Sequence, residues 1–385
     1  MVTDTFKKDK SMFKKFNLKE NPFRTVPALG NDVVWAGFSA IKKKFEKRIK
    51  KSIRIQNSSI VLNWGEYGSG KTHAARYFSK REILQELCND TGKSIPLSIV
   101  INLPKGKNAV GELYLHILDK LDFNKIFVNL HKYVNLDTYI DSVTDNVFIK
   151  NVLRTFVKAS INEQLEDSSY HVEDVINYLY GRRNTKLLEQ IGLPRYLTSD
   201  SDYIDFLSAF FSLITSDPIN GYSCVIIWID EFEDIVMQSA SVVTVINSFI
   251  RGVMDKAPSN VLMFINLTLT AFADKTDLSS YLQDAVRSRV KEQIEFPLPS
   301  QNEFMEYLSD LLSQFRITET QDVYMPFKTD MLDQLISDLG NVSIRRFNEA
   351  LSLLLETADI EDVNEVDMKF YTENKSDIIG IDWKN

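Results

Sequence analysis

Residues 65–72 read Gly65-Glu66-Tyr67-Gly68-Ser69-Gly70-Lys71-Thr72, and this octapeptide governs how the rest of the chain is read. It fits the pattern G-x-x-x-x-G-K-[ST]. Glycines at these spacings let a loop fold with successive backbone N–H groups pointing inward at phosphate oxygens. A helix beginning near Lys71 adds the positive end of its dipole. Lys71 is expected to reach the β- and γ-phosphates of ATP, and the Thr72 hydroxyl is a hard oxygen ligand suited to Mg2+. Gly65, Glu66, Tyr67, Gly68, Ser69, Gly70, Lys71, Thr72 and the following His73 form the candidate nucleotide-binding set. The flanks fit: Ser59–Trp64 reads as a short buried strand, and Thr72–Leu87 as a helix.

Downstream, Ile95–Leu103 reads as a second strand and Val110–Leu121 as a second helix. Strand, helix, strand, helix is the signature of a parallel α/β sheet. The alternation then stops. From about Phe123 to Pro218 the patterns are helical, as in Phe148–Glu163, Val172–Tyr180 and Tyr203–Thr215. A block of roughly 95 residues is too long for a simple crossover and is read as a helical insertion at about 123–218. Cys224–Ile229 and Val261–Asn266 are continuous apolar runs, as expected for strands buried on both faces. After Pro299 the pattern is helical to about Thr357, and 358–385 is a mixed, polar tail.

Upstream, residues 1–20 are Lys-rich and read as a mobile arm. Asn21-Pro22-Phe23-Arg24 reads as a turn. A helix is expected from about Ser39, with Ile41, Phe45, Ile49 and Ile53 as its apolar stripe. Lys42, Lys43, Lys44, Lys47, Lys50 and Lys51 cover the other face, either as a solvated surface or as a contact for DNA phosphates. The division expected is therefore a basic arm and helix over 1–55, an α/β core over 56–300, a helical segment over 301–357 and the tail.

Composition narrows the function classes. The chain has 385 residues, 44% hydrophobic and 25% charged, with net charge −8. That is ordinary for a globular protein and excludes a uniformly basic nucleic-acid coat, though not a local basic patch. Cys88 and Cys224 lack CxxC partners, and the four histidines have no metal-ligand spacing. A disulfide framework or zinc site is not expected. No run approaches the ~20 apolar residues of a bilayer span, and the N-terminus has no apolar signal core. A cytoplasmic protein with no membrane segment is the expectation.

A second motif supports the first. Val225-Ile226-Ile227-Trp228-Ile229 ends in Asp230-Glu231, the Walker B pattern. Asp230 is expected to hold Mg2+, and Glu231 to orient or deprotonate the water that attacks the γ-phosphate. Read without its partner motif, the run is an ordinary strand ending in an acidic turn.

With both motifs in place, the sequence resembles the AAA+ ATPases of the origin-recognition and Cdc6-like branch, and bacterial ATP-binding proteins of transposition and of phage-defence systems such as BREX. The resemblance spans about Asn21 to Leu355. Asn21-Pro22-Phe23 with Trp35-Ala36-Gly37-Phe38 resembles the segment that packs near the adenine in these proteins. The succession of Asn177–Arg183, Glu189–Leu197 and Gly221–Asp234 looks most like the defence-type members. The resemblance implies a parallel-sheet AAA+ P-loop core with a large helical insertion and a C-terminal helical lid over 301–357. It also implies three further site residues. Asn266, with Thr268 as alternative, fits the polar sensor at a strand end. Arg289, with Arg287 second, fits the arginine that reaches a neighbouring subunit's ATP. Arg345, or Arg346 if the helix phase shifts by one, fits the lid arginine that reads the γ-phosphate. Each has a bland reading too, as a strand cap or a surface salt-bridge arginine. Only about 30 residues follow Leu355, too few for the winged-helix domain of the initiators.

Two functions follow as expectations. The first is an oligomeric, Mg2+-dependent ATPase that assembles on or remodels DNA or a protein partner within a defence or mobile-element system. DNA would then be met through basic N-terminal residues or through Arg182, Arg183, Lys186 and Arg195. The second is a nucleotide-gated scaffold that recruits an effector or nuclease through its insertion, with slow hydrolysis. A membrane-export ATPase is a weaker third.

Overall fold

A computed structural model of the chain describes residues 13–25, 33–106, 108–159, 171–268 and 281–380. Its elements run, in chain order, α1 Ser39–Arg54, β1 Ser59–Gly65, α2 Lys71–Tyr77, α3 Arg81–Cys88, β2 Leu97–Asn102 and α4 Ala109–Leu118. Then come α5 Phe123–Leu130, α6 Leu136–Val143, α7 Val147–Lys158, α8 Val172–Leu179, α9 Thr185–Ile191, α10 Asp200–Ile214, β3 Val225–Asp230 and α11 Ala240–Lys256. The chain closes with β4 Val261–Thr268, α12 Asp284–Arg287, β5 Val290–Phe296, α13 Gln301–Phe315, α14 Thr329–Leu339, α15 Ile344–Ile360 and α16 Met368–Ile379. Two compact units form. One gathers Lys44–Trp64 and Phe78–Ile294, and the other gathers the segment up to Lys43, Gly65–Tyr77 and the chain from Glu295 onward. No helix among the described residues is long and apolar enough to cross a membrane.

The first unit is built on a five-stranded sheet in the order β2-β3-β4-β1-β5. β2 and β3, and β3 and β4, pair in parallel. Strand parity sorts the side chains. Val225, Ile227 and Ile229 of β3, Val261, Met263 and Ile265 of β4, and Ile60 and Leu62 of β1 enter one apolar core with the insertion helices. The opposite parity faces α1: Phe45 packs on Trp228 and Phe264, whose rings stack with centroids 3.9 Å apart. All three are fully buried, and each large side chain removed from water contributes about 1.5–3 kcal/mol. The stripe expected on α1 is present, with Phe45, Ile49 and Ile53 at 0% exposure. Lys43, Lys44, Lys47 and Lys51 are exposed.

Between β2 and β3 the described chain is helical. α10 packs against α4 and α11, and against α6 and α7, so it joins the insertion to the helices that cover the sheet. The entry to α10 is held by one buried carboxylate. Asp202 accepts two hydrogen bonds from the Arg195 guanidinium, at 2.7 and 2.8 Å, and two from the backbone N–H groups of Thr198 and Ser199. Ser199 completes a capping box with Asp202. The Arg195 pairing, reinforced by these N–H bonds, holds the Asp202 carboxyl well below the usual carboxylate range. The expected helix Phe148–Glu163 corresponds to α7, which ends at Lys158; its last residues lie outside the described chain.

Sequence and structure differ at one helix. Thr72–Leu87 reads as continuous, yet the chain breaks between α2 and α3 at Phe78–Lys80. The Ser79 hydroxyl pairs there with that of Ser98, 2.7 Å away. A short polar side chain committed to a neighbouring strand competes with helix continuation.

The second unit is helical. α13, α14, α15 and α16 enclose an apolar core of Phe304, Leu308, Leu332, Phe347, Leu351 and their neighbours. Two stretches expected to be loose belong to it. The arm expected to be mobile over 1–20 is anchored from Phe13 onward: Phe16 and Leu18 are fully buried, and Leu18 bridges Arg316 in antiparallel fashion. The Lys15 Nζ donates to the carbonyls of Ala358 and Asp359, both at 3.2 Å. Residues 1–12, which carry Lys7, Lys8 and Lys10, lie outside the described chain. The polar tail carries α16, which packs on α14 and α15 and buries Phe370, Tyr371 and Ile378. The Tyr371 hydroxyl donates to Asp338 at 2.7 Å, and Lys375 pairs with the same carboxylate.

Candidate functional site

The glycine loop belongs to the second unit and opens at Gly65, the last residue of β1. A Cβ on Gly65 would lie 2.6 Å from the Phe296 carbonyl oxygen, so only glycine fits where β1 ends. Gly68 and Gly70 have φ +77 and +104, the left-handed region that glycine alone enters cheaply. The Ser69 N–H donates to the Glu66 carbonyl at 3.2 Å and closes the turn. Lys71 is buried, and its Nζ donates to the carbonyls of Gly65 and Glu66 at 2.9 and 2.8 Å and to the Ser69 hydroxyl at 3.3 Å. The ammonium therefore sits inside the loop, close to where phosphate oxygens are expected. Thr72, the next residue, is partly exposed at the head of α2.

His73, the last residue of the candidate nucleotide-binding set, pairs with the chain before α1. Its Nε2 pairs with the Val34 carbonyl at 2.7 Å, and Trp35 packs beside the ring and beside Tyr77. The side chain ties the Val33–Phe38 segment to α2. Burial holds the imidazole below its ordinary pKa, against the raising effect of the Val34 hydrogen bond.

Helix α15 reaches this loop directly. The Arg345 N–H donates to the Gly68 carbonyl at 3.3 Å, and the Arg345 guanidinium lies 4.3 Å from the Tyr67 ring centroid. Arg346, the alternative in the sequence, faces elsewhere: it pairs with Glu349 at 2.7 Å and donates to the carbonyls of Ile378 and Ile379 at the end of α16. Arg345 and not Arg346 is placed against the glycine loop.

The acidic pair lies in the sheet unit. Asp230 ends β3 and is buried. Glu231 follows with φ +54, uncommon for a residue other than glycine, and its carboxylate accepts a hydrogen bond from Asn102 Nδ2 at 3.1 Å. Partial burial, with Asp230, Asp234 and Glu233 nearby, raises the Glu231 pKa, while Lys105 opposes the shift. Asn102 stands opposite Asp230 in the parallel register. Sequence reading missed it; the available signal was a polar residue closing an otherwise apolar strand. Asn266 lies within β4 and is fully buried, and its Nδ2 donates to Asp230 Oδ1 at 2.9 Å. Thr268, the alternative, is two residues further on, and its N–H donates to Glu233.

Arg289 precedes β5. Its guanidinium grips Asp255 of α11 in a bidentate pair, at 2.7 and 2.8 Å, and also donates to the Ala285 carbonyl. Arg287 pairs with Asp284, one turn back. Both candidate trans-acting arginines therefore have partners within their own chain.

The sheet order puts β1 at a reversal. The connection after β1 passes β4 and β3 to reach β2, whereas the chain leaving β4 passes β1 to reach β5. Open α/β sheets take ligands at the carboxyl ends of strands at such a reversal. No protein-family model matches the sequence, and no curated protein does. Solved structures do. The structure of Drosophila ORC bound to DNA aligns over 99% of this chain and 70% of its own, with a TM-score of 0.54 at 12% identity. The fold is that of the AAA+ ATPases. The Cdc6p structure from Pyrobaculum aerophilum aligns over 94% of this chain and 72% of its own (TM-score 0.49, 11% identity). That of Aeropyrum pernix ORC1 in complex with DNA aligns over 91% and 68% (TM-score 0.46, 13% identity). At this identity the likeness shows the fold, and function is left to be argued from the residues.

Proposed function

We propose that the chain is an ATPase. ATP is bound on the loop Gly65–Thr72 and hydrolysed with Mg2+, and the lid helix α15 couples nucleotide state to assembly on DNA or a protein partner. The observation that carries this reading is the loop: Lys71 Nζ is buried among the Gly65, Glu66 and Ser69 oxygens, with Arg345 stacked one residue away over Tyr67. An ammonium held by neutral acceptors is poised to exchange them for phosphate oxygens, a charge-assisted and stronger pairing.

Mg2+ follows from the two sequence motifs, each of which supplies a hard oxygen, the Thr72 hydroxyl in one and the Asp230 carboxylate in the other. Bound with the nucleotide, it would neutralise charge on the phosphates and draw electron density from the γ-phosphorus. Glu231 takes a proton from water as the new oxygen–phosphorus bond forms and the β–γ bridging bond breaks, giving ADP and phosphate. Its raised pKa strengthens it as a base. Asn266 donates to Asp230 and fixes that carboxylate. Arg345 leaves Tyr67 for the γ-phosphate, so the lid reads the bound nucleotide. Arg289 acts on a neighbouring subunit's nucleotide once assembly releases it from Asp255.

A role in phage defence or a mobile element rests on the local resemblance within the insertion. The second reading, a nucleotide-gated scaffold with slow turnover, is favoured by the cis pairing of Arg289 with Asp255 and by the Asn102 hold on Glu231. Mass measurement with ADP, ATP and a slowly hydrolysed analogue, with and without duplex DNA, tests the proposal. ATP-dependent growth in mass and DNA binding that weakens steeply with salt support the assembling ATPase. A monomer under every nucleotide that ignores DNA at low salt rejects it in favour of the scaffold.

A further inference from the structure

Helix α1 has an apolar face and a cationic face, and the sheet takes up only the first. From Lys44 onward the helix belongs to the sheet unit. Phe45, Ile49 and Ile53 are fully buried, with the Phe45 ring against Phe78, Trp228 and Phe264. Between Lys44 and Arg54 the exposed residues are Lys44, Lys47, Lys51 and Arg54, so every exposed position is a cation. Spacings of three, four and three residues put these four within an arc of about 80° and along about 15 Å of helix. Asp90 meets one end of the row, 3.8 Å from Lys50 and 3.9 Å from Arg54, at the far limit of an ion pair. Lys44, Lys47 and Lys51 have no ion-pair partner among the described residues. Lys93 adds a cation at the helix end, where its Nζ donates to the carbonyls of Ile53 and Arg54 at 2.9 and 3.1 Å. That contact also offsets the negative end of the helix dipole. A solvated face needs charge but not charge of one sign, and like charges three and four residues apart repel. The chain as a whole carries net charge −8, so the row runs against the composition.

We propose that this row is a docking surface for the phosphate backbone of duplex DNA. Charge complementarity selects the partner, and geometry narrows it. A straight row fixed on a sheet suits a stiff polyanion with one phosphate per 3.4 Å of axis on each strand, so about 15 Å of helix spans four or five phosphates. A membrane surface suits it less, because the apolar face that would enter the lipid is buried on the sheet. A protein partner suits it less too, because the row presents no aromatic or aliphatic anchor. The inference rests on the DNA arm of the reading above and uses no residue of the nucleotide site.

The test is binding of the full chain to a labelled duplex of about 30 base pairs, between about 50 and 200 mM salt. The row predicts a wild-type slope of log K against log salt of about −3.6 or steeper, about 0.9 for each cation. Lys44→Gln, Lys47→Gln and Lys51→Gln together are expected to flatten it by about 2.7, with melting temperature and binding of a fluorescent ATP analogue at wild-type values. Lys120→Gln, Lys132→Gln and Lys158→Gln remove the same charge from exposed sites elsewhere in the sheet unit and are expected to leave the slope unchanged. If the triple row variant does not fold, each single row variant is expected to flatten the slope by about 0.9. An unchanged slope in the folded row variants, or an equal loss in the control, overturns the inference. Binding of anionic vesicles or of poly-glutamate that is lost with the row while duplex binding is kept also overturns it, in favour of a membrane or a protein partner. A wild type that ignores duplex DNA at the lowest salt refutes the DNA reading itself; this inference then fails with it, and the ATP site is untouched.

Discussion

Gly68 is where the start of α15 touches the glycine loop, and a single methyl group tests that contact. A Cβ at Gly68 would lie 2.7 Å from both the Arg345 Cβ and the Ser343 Oγ. Ordinary contact between carbon atoms is about 3.5–4.0 Å, so the start of α15 must retreat by about 1 Å. Overpacking of this kind costs about 1–3 kcal/mol. The backbone adds its own term, since φ is +77 and a side chain in the left-handed region costs about 1–2 kcal/mol. Gly192 supplies the control: its φ is +70, and a Cβ there meets nothing within 4 Å. Gly192→Ala is therefore expected to cost only the backbone term, about 1–2 kcal/mol, and Gly68→Ala about 2–5 kcal/mol once the steric term is added. Denaturant melting measures both. Hydrogen exchange across residues 343–347 locates the second effect, because the Arg345 N–H should exchange faster once its bond to the Gly68 carbonyl is broken. A Gly68→Ala variant no less stable than Gly192→Ala, with Arg345 protection unchanged, would refute the docking of α15 on the loop.

Two further outcomes follow from the ion pairs. Asp202→Asn removes the charge that Arg195 and two backbone N–H groups hold; charge-assisted bonds of this kind are worth about 1.5–3 kcal/mol, so urea melting should show a loss near 2 kcal/mol. The folded Asp202 pKa lies below its unfolded value, so its contribution is complete above the ordinary carboxylate pKa and is lost as pH falls below about 4. The wild-type-to-variant difference should shrink over that range and stay flat from pH 5 to 8. Asp255→Ala releases Arg289 from its carboxylate partner, leaving the bond to the Ala285 carbonyl, and removes an exposed pair worth about 0.5–1 kcal/mol. If Arg289 acts in trans, Asp255→Ala keeps or raises turnover at assembling concentrations, and Arg289→Ala lowers it by about 10³-fold. Equal turnover in the two variants would make the arginine a structural partner of Asp255 only.

The glycine loop and the acidic strand end were legible because each is a local pattern with a physical cause. Glycines at 65, 68 and 70 announce a loop, and an apolar run ending in Asp230-Glu231 announces a buried strand meeting solvent at an acidic end. Asn266 was legible only as a polar residue near a strand end; its true place, within β4 beside Asp230, follows from register, which sequence does not state. Asn102 went unread for the same reason, since it is one polar residue in an apolar strand and acquires meaning from a neighbour far away in the chain. The break between α2 and α3 depends on Ser79 finding Ser98, and the anchoring of Phe16 and Leu18 depends on Arg316, roughly 300 residues later. α16 hid behind a polar composition because only Phe370, Tyr371 and Ile378 are buried along it. Arg345 and Arg346 could not be separated by sequence, since one residue of helix phase decides which faces the loop.

Phosphate release from ATP by the wild type, Lys71→Ala and Glu231→Gln, measured beside nucleotide binding, tests the central claim most directly. The account predicts Mg2+-dependent release by the wild type and loss of binding in Lys71→Ala. It predicts that Glu231→Gln still binds ATP but releases phosphate about 10²-fold or more slowly, as expected when a general base is removed. Release by Glu231→Gln at the wild-type rate, or ATP binding undiminished in Lys71→Ala, would contradict it.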